Sequence, residues 1–123
     1  MSMALVLVVD DDALSLQLLE LILKRDHHNV LTSSNGADTF DLVYEHQPDL
    51  VILNDTMPFV SGGEVCKRIK NDPNIGSTPV ILTSAGSRVR DPNYVREVCA
   101  DDVLLKPCLP ADVRDVVNRN IRT

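Results

Sequence analysis

Apolar runs and amphipathic segments alternate along the whole chain. Ala4-Leu5-Val6-Leu7-Val8-Val9 is continuous and rich in β-branched residues, which predicts a strand buried on both faces of a parallel sheet. From Leu14 the period becomes helical, with Leu14, Leu18, Leu21 and Ile22 on one expected inner face and Asp12 placed as the cap. A short second strand is expected over residues 30–33. Asn35-Gly36 then opens a helix with Ala37, Phe40, Val43 and Tyr44 inward, and Pro48 stops it. Residues 49–53 predict the third strand and residues 55–61 a loop around Pro58. Ser61 is expected to cap a third helix, with Glu64 three residues later and Val65 and Ile69 facing in. Residues 79–83 predict the fourth strand. Residues 87–99 read as helical, but Pro92 fits only a first turn, so the helix should start late, near Asp91. Residues 103–105 predict a fifth strand. Pro110 opens a final helix with Val113, Val116, Val117 and Ile121 inward, expected to run almost to Thr123 and to leave no output domain in the chain.

Five strands alternating strictly with five helices make an α/β fold: a parallel sheet with right-handed crossovers and helices on both faces. The 123 residues suit a single domain spanning 1–123. Only 3% of the residues are aromatic and Trp is absent, so the core must be built from Val, Leu and Ile. The net charge of −6 argues against a nucleic-acid binder or a polybasic membrane-surface protein. Cys66, Cys99 and Cys108 are widely spaced, with no C-x-x-C pair. They read as small buried or half-buried thiols in a reducing cytoplasm. No basic stretch precedes the first apolar run, which has only a strand's length, so it predicts neither a signal peptide nor a membrane span.

In open parallel sheets the functional site lies beyond the carboxyl ends of the strands. There the first strand ends in Asp10-Asp11-Asp12, the third in Asn54-Asp55-Thr56-Met57-Pro58, the fourth in Thr83-Ser84-Ala85 and the fifth in Lys106-Pro107. Clustered carboxylates raise one another's pKa unless a cation neutralises them. Mg²⁺ suits oxygen ligands of this kind, and a lysine and a hydroxyl opposite could hold phosphoryl oxygens. The strand ends therefore predict a site for a phosphoryl group with a hard cation.

These motifs, with Pro48-Asp49-Leu50-Val51-Ile52-Leu53 before Asn54, Gly62 after Met57-Pro58, and Ala100-Asp101-Asp102 before Lys106-Pro107, give the chain a family likeness. It resembles, over nearly its whole length, the receiver domain of two-component response regulators. The resemblance implies a flavodoxin-like (βα)5 sandwich with strand order 2-1-3-4-5. It implies that Asp10 and Asp11 hold Mg²⁺, with Asp11 the direct ligand and Thr56 contributing its backbone carbonyl. Ser84 matches the hydroxyl that contacts the phosphoryl group. Lys106 matches the lysine that pairs with the acceptor carboxylate or phosphoryl oxygens, and Pro107 a proline usually reached through a cis bond. The implied partners are a sensor histidine kinase or phosphotransfer protein and a downstream output domain or protein. A homodimer through the fourth and fifth helices is a further expectation, while the acidic charge balance argues against nucleic-acid or membrane contact by this domain.

The chain departs from the family where it matters most. Asn54, four residues before Pro58, occupies the phosphoacceptor position. A neutral amide is a poor nucleophile and cannot form the acyl phosphate; it also removes one negative charge from the metal site and should weaken Mg²⁺ binding. Beside Lys106 it should replace an ion pair with a weaker hydrogen bond. Asp55 is one residue late and should point the other way, as a solvated loop carboxylate. Val103 replaces the family's Tyr or Phe switch residue. Cys99 and Phe59 stand where glycine is common, and Pro92 interrupts the fourth helix. These further departures favour a natural Asn54 over a replaced Asp. The reading that follows is an atypical, non-enzymatic receiver acting through protein–protein contact.

Other features weigh less. His27-His28 are expected in a surface loop, and His46 complements a helix dipole. Arg88, Arg90 and Arg96 suit either a partner-binding face or a solvated one. A different class, a haloacid-dehalogenase-like phosphohydrolase using Asp10 and Asp12, is the alternative. Against it, Leu14 stands where that motif prefers Thr or Val, and no cap domain is present.

Overall fold

The computed structural model describes residues 4–121. Five strands form one parallel sheet: β1 (Leu5–Val9), β2 (Asn29–Ser33), β3 (Leu50–Asn54), β6 (Val80–Ser84) and β7 (Asp102–Leu105). Their spatial order is β2-β1-β3-β6-β7, which is 2-1-3-4-5 counted among the parallel strands. A small antiparallel hairpin, β4 (Thr56–Met57) and β5 (Val60–Ser61), breaks the stretch expected to be plain loop. The helices are α1 (Ala13–Arg25), α2 (Thr39–His46), α3 (Gly62–Lys70), α4 (Pro92–Glu97) and α5 (Pro110–Asn120). Thr123, the expected limit of the last helix, lies outside the described residues.

The continuous apolar runs are explained by the pleat. Alternate side chains of one strand enter two separate cores. Val6, Val8, Ile52 and Ile81 pack with Leu19, Ile22 and Leu23 of α1 and Val113, Val116 and Val117 of α5. Leu7, Val9, Val51, Leu53 and Leu82 pack on the other face with Val43 of α2, Val65 and Ile69 of α3, and Val89 and Val98 around α4. Every residue of β3 and β6 is buried.

Two expectations about helices need correction. Leu14, Leu18 and Leu21 of α1 are exposed, and the inner face is Leu19, Ile22 and Leu23. Apolar residues surround this helix, so the period alone has two solutions, and packing against β1 and α5 selects one. Ala37 is exposed in a 3-10 turn ahead of α2, and Tyr44 turns its hydroxyl to Asp72 at 2.9 Å. The fourth helix starts late, as Pro92 predicts: a 3-10 turn at Arg88–Arg90 precedes a six-residue α4 that ends at Glu97, short of Cys99. Pro92 is the cause: the residue before a proline is pushed to extended backbone, and Asp91 sits at φ −86°, ψ 114°. Its side chain caps α4 by accepting from Asn93 N at 2.9 Å.

Asp12 caps α1 as expected, accepting from Ser15 N at 3.2 Å. His27 is exposed at the bend after α1, and half-buried His28 accepts from Ala4 N through Nδ1. Cys66 and Cys108 are buried free thiols, whereas Cys99 is exposed. Cys99 and Phe59 take left-handed backbone at φ 63° and 65°. Both positions therefore keep the conformation that glycine favours while carrying a side chain.

Candidate functional site

The carboxyl ends of β1, β3, β6 and β7 bring Asp10, Asn54, Ser84 and Lys106 to one edge of the sheet. Asp10 is fully buried at the end of β1. Its Oδ1 accepts from Asp12 N at 2.9 Å. Lys106 Nζ lies 2.8 Å from Oδ2, a charge contact without hydrogen-bond alignment. Asp11 is exposed at the rim. Asn54 is buried, and its Nδ2 donates to Asp11 Oδ1 at 3.0 Å and to the Thr56 carbonyl at 2.8 Å.

The expected hydrogen bond between Lys106 and Asn54 is not formed. Lys106 turns to Asp10 instead, because a buried carboxylate holds an ammonium more strongly than a neutral amide does. Buried Ser84 uses Oγ to accept from Gly86 N at 2.8 Å, leaving its O–H free to donate. Lys106-Pro107 is a cis peptide bond. Val103, half-buried at the middle of β7, pairs in register with Leu82. It lines a groove of about 500 Å³ with Val89, Pro92, Val95 and Leu105. Pro58 and exposed Phe59 form the turn of the β4–β5 hairpin.

Asp55 points away from Asn54, as its place one residue along predicts, but its surroundings differ from the expected solvated loop. It is fully buried, not solvated. The pleat sends it to the α3–α4 side, opposite Asn54. Its Oδ1 accepts from Tyr94 Oη at 2.6 Å and from Gly63 N at 3.1 Å. Its Oδ2 accepts from Arg88 Nε at 2.9 Å, with Arg88 Nη2 at 2.8 Å. Asp55 thus takes over the capping of α3, and Ser61, though at the N-cap position, makes no side-chain cap bond. The Asp55 hydrogen bond raises the pKa of the Arg88 guanidinium. Burial first, and then the bond to Asp55, pushes the Tyr94 hydroxyl up to about 12. The signal that could have revealed this was the pleat alternation together with Gly62-Gly63. A Cβ on Gly62 would strike the Asn54 carbonyl, and one on Gly63 the Tyr94 hydroxyl.

The oxygens of Asp10, Asp11 and the Thr56 carbonyl are the hard donors that Mg²⁺ takes. They fit such a cation with one carboxylate fewer than a full set. Among the described residues no three His, Cys, Asp or Glu side chains gather as a ligand group.

The chain belongs to the response regulator receiver domain family, which it matches over residues 6–118. It is 37% identical to the transcriptional regulatory protein AfsQ1 of Streptomyces coelicolor, over 97% of this chain and 53% of that protein. The chain therefore spans about half the length of that relative. Among solved structures it is similar to the signal receiver domain of a signal transduction histidine kinase from Syntrophus aciditrophicus. That match has 29% identity and a TM-score of 0.85, covering 94% of this chain and 88% of the other. The chemotaxis response regulator CheY4 of Vibrio cholerae shares the fold, with 23% identity and a TM-score of 0.88 over 98% of this chain and all of that one. This is the flavodoxin-like α/β architecture. Nothing in the site favours the phosphohydrolase alternative, since Asp12 is committed to capping α1.

Proposed function

We propose that this receiver is not phosphorylated at position 54 and signals through protein contact rather than catalysis. The observation that carries the reading is the Asn54 side chain. Its amide is buried at the acceptor position and its N–H groups point at Asp11 and Thr56. An amide offers no carboxylate oxygen to attack phosphorus.

Asp10, Asp11 and the Thr56 carbonyl would hold Mg²⁺, weakened by the missing charge and by the competing Asn54 amide. When bound, the cation would neutralise the carboxylates and attract phosphoryl oxygens. Ser84 and Lys106 are the groups placed to meet an anion there.

Contact surfaces flank the site. Leu14 and Leu18 line a hollow of about 160 Å³ with Lys106, Pro107 and Cys108, and Leu109 beside it is exposed. This apolar patch suits a sensor histidine kinase or phosphotransfer protein. The groove beside α4 and β7 suits a homodimer or an output domain. None of the described helices is long and apolar enough to cross a membrane.

Titrating Mg²⁺ while following amide shifts near Asp11 tests the pocket. The native protein should respond only at millimolar metal, and Asn54→Asp at lower concentration. An equal response from both would contradict the weakened site.

A further inference from the structure

A buried carboxylate that the phosphoryl site does not use joins three separate parts of the chain. Asp55 lies between Asn54 and Thr56, the two residues whose side chain and carbonyl meet across the site. Its three hydrogen-bond donors come from Gly63 in α3, from Arg88 Nε in the 3-10 turn before α4, and from Tyr94 in α4, and Arg88 Nη2 adds a charge contact. The Arg88 guanidinium also lies 4.7 Å from the Tyr94 ring centroid. α4 has only six residues and none is fully buried, so its own packing holds it weakly.

We propose that Arg88 and Tyr94 clamp the buried Asp55 carboxylate and so fix α4 in register with the end of β3. The α4 face is then presented in one arrangement set by the chain itself, without a phosphoryl group. A carboxylate without exposure needs all its donors. Releasing α4 would strip the Tyr94 donor from it, and releasing the preceding turn as well would strip Arg88, so the closed arrangement is favoured. Gly63 is part of the device, because only a residue without a Cβ leaves room for the Tyr94 hydroxyl. That the clamped face is the signalling face rests on the reading above; the clamp itself does not.

Native-state hydrogen exchange, read residue by residue, tests the clamp. The reporters are the Val95 and Val98 amides, bonded to the Asp91 and Tyr94 carbonyls at 3.1 Å each. Tyr94→Phe and Arg88→Gln should each speed their exchange at least about tenfold relative to β3 amides, and shift the Asn54 side-chain amide signals. Gly63→Ala should give the same pattern by displacing the hydroxyl. Arg90→Gln, at a neighbouring exposed arginine, should not. Exchange that rises equally in α4 and β3, or Asn54 signals that stay in place, would overturn the clamp. An Asn54→Asp protein that accepts no phosphoryl group would overturn the receiver chemistry and leave this exchange pattern standing.

Discussion

Asn54 Nδ2 lies 3.0 Å from Asp11 Oδ1 and donates a hydrogen bond to it. An aspartate at position 54 would replace this attraction with the repulsion of two carboxylates, beside a third at Asp10. Asn54→Asp should therefore cost about 1–3 kcal/mol of stability without divalent metal. Millimolar Mg²⁺ should restore much of it. Urea unfolding with and without Mg²⁺ measures both, and a variant as stable as the native chain in chelator would contradict the geometry.

The same residues show what was legible in the sequence. The sheet was, because continuous apolar runs of β-branched residues have one reading when both faces are covered. The gathering of Asp10, Asn54, Ser84 and Lys106 followed from strand ends alone. What could not be read was which partner each polar group would choose. Lys106 selects Asp10 over Asn54 because only one of them is charged. Asp55 is buried because Arg88 and Tyr94 arrive from a segment more than thirty residues away. The face of α1 was illegible for another reason: leucines on all sides leave its rotation to tertiary packing.

That rotation is testable. Leu19→Ala should cost about 2–5 kcal/mol, whereas Leu18→Ala should stay within about 1 kcal/mol. Chemical denaturation resolves the difference, and equal costs would return Leu18 to the inner face.

Cys99 and Phe59 carry side chains at left-handed backbone positions, and both are exposed. Glycine relieves the local strain but gives the unfolded chain more freedom, so the net gain is small. Cys99→Gly and Phe59→Gly should each raise stability by about 0.5–1 kcal/mol. A loss of stability in either would mean that the side chain packs where it shows exposure.

Alkaline pH should weaken the fold. Burial pushes the Cys66 thiol from 9.0 to about 12, and burial with the Asp55 bond pushes Tyr94 from 10.0 to about 12. Above pH 9 the unfolded chain releases these protons before the folded one, so it binds fewer protons and stability falls as pH rises. The full contribution is present below pH 9 and is lost progressively towards pH 12. Urea midpoints across this range should decline, and Tyr94→Phe should flatten the part above pH 10. A native profile level from pH 9 to 12 would contradict both shifts.

The proposed function rests on an acceptor position that carries an amide in place of a nucleophile, with Asp10, Ser84 and Lys106 gathered around it. Intact mass after incubation with a small acyl phosphate and Mg²⁺ tests this most directly. The native chain should gain no adduct, and Asn54→Asp should gain one phosphoryl group, about 80 Da. A stable adduct on the native chain that disappears in Asp55→Asn would contradict the account.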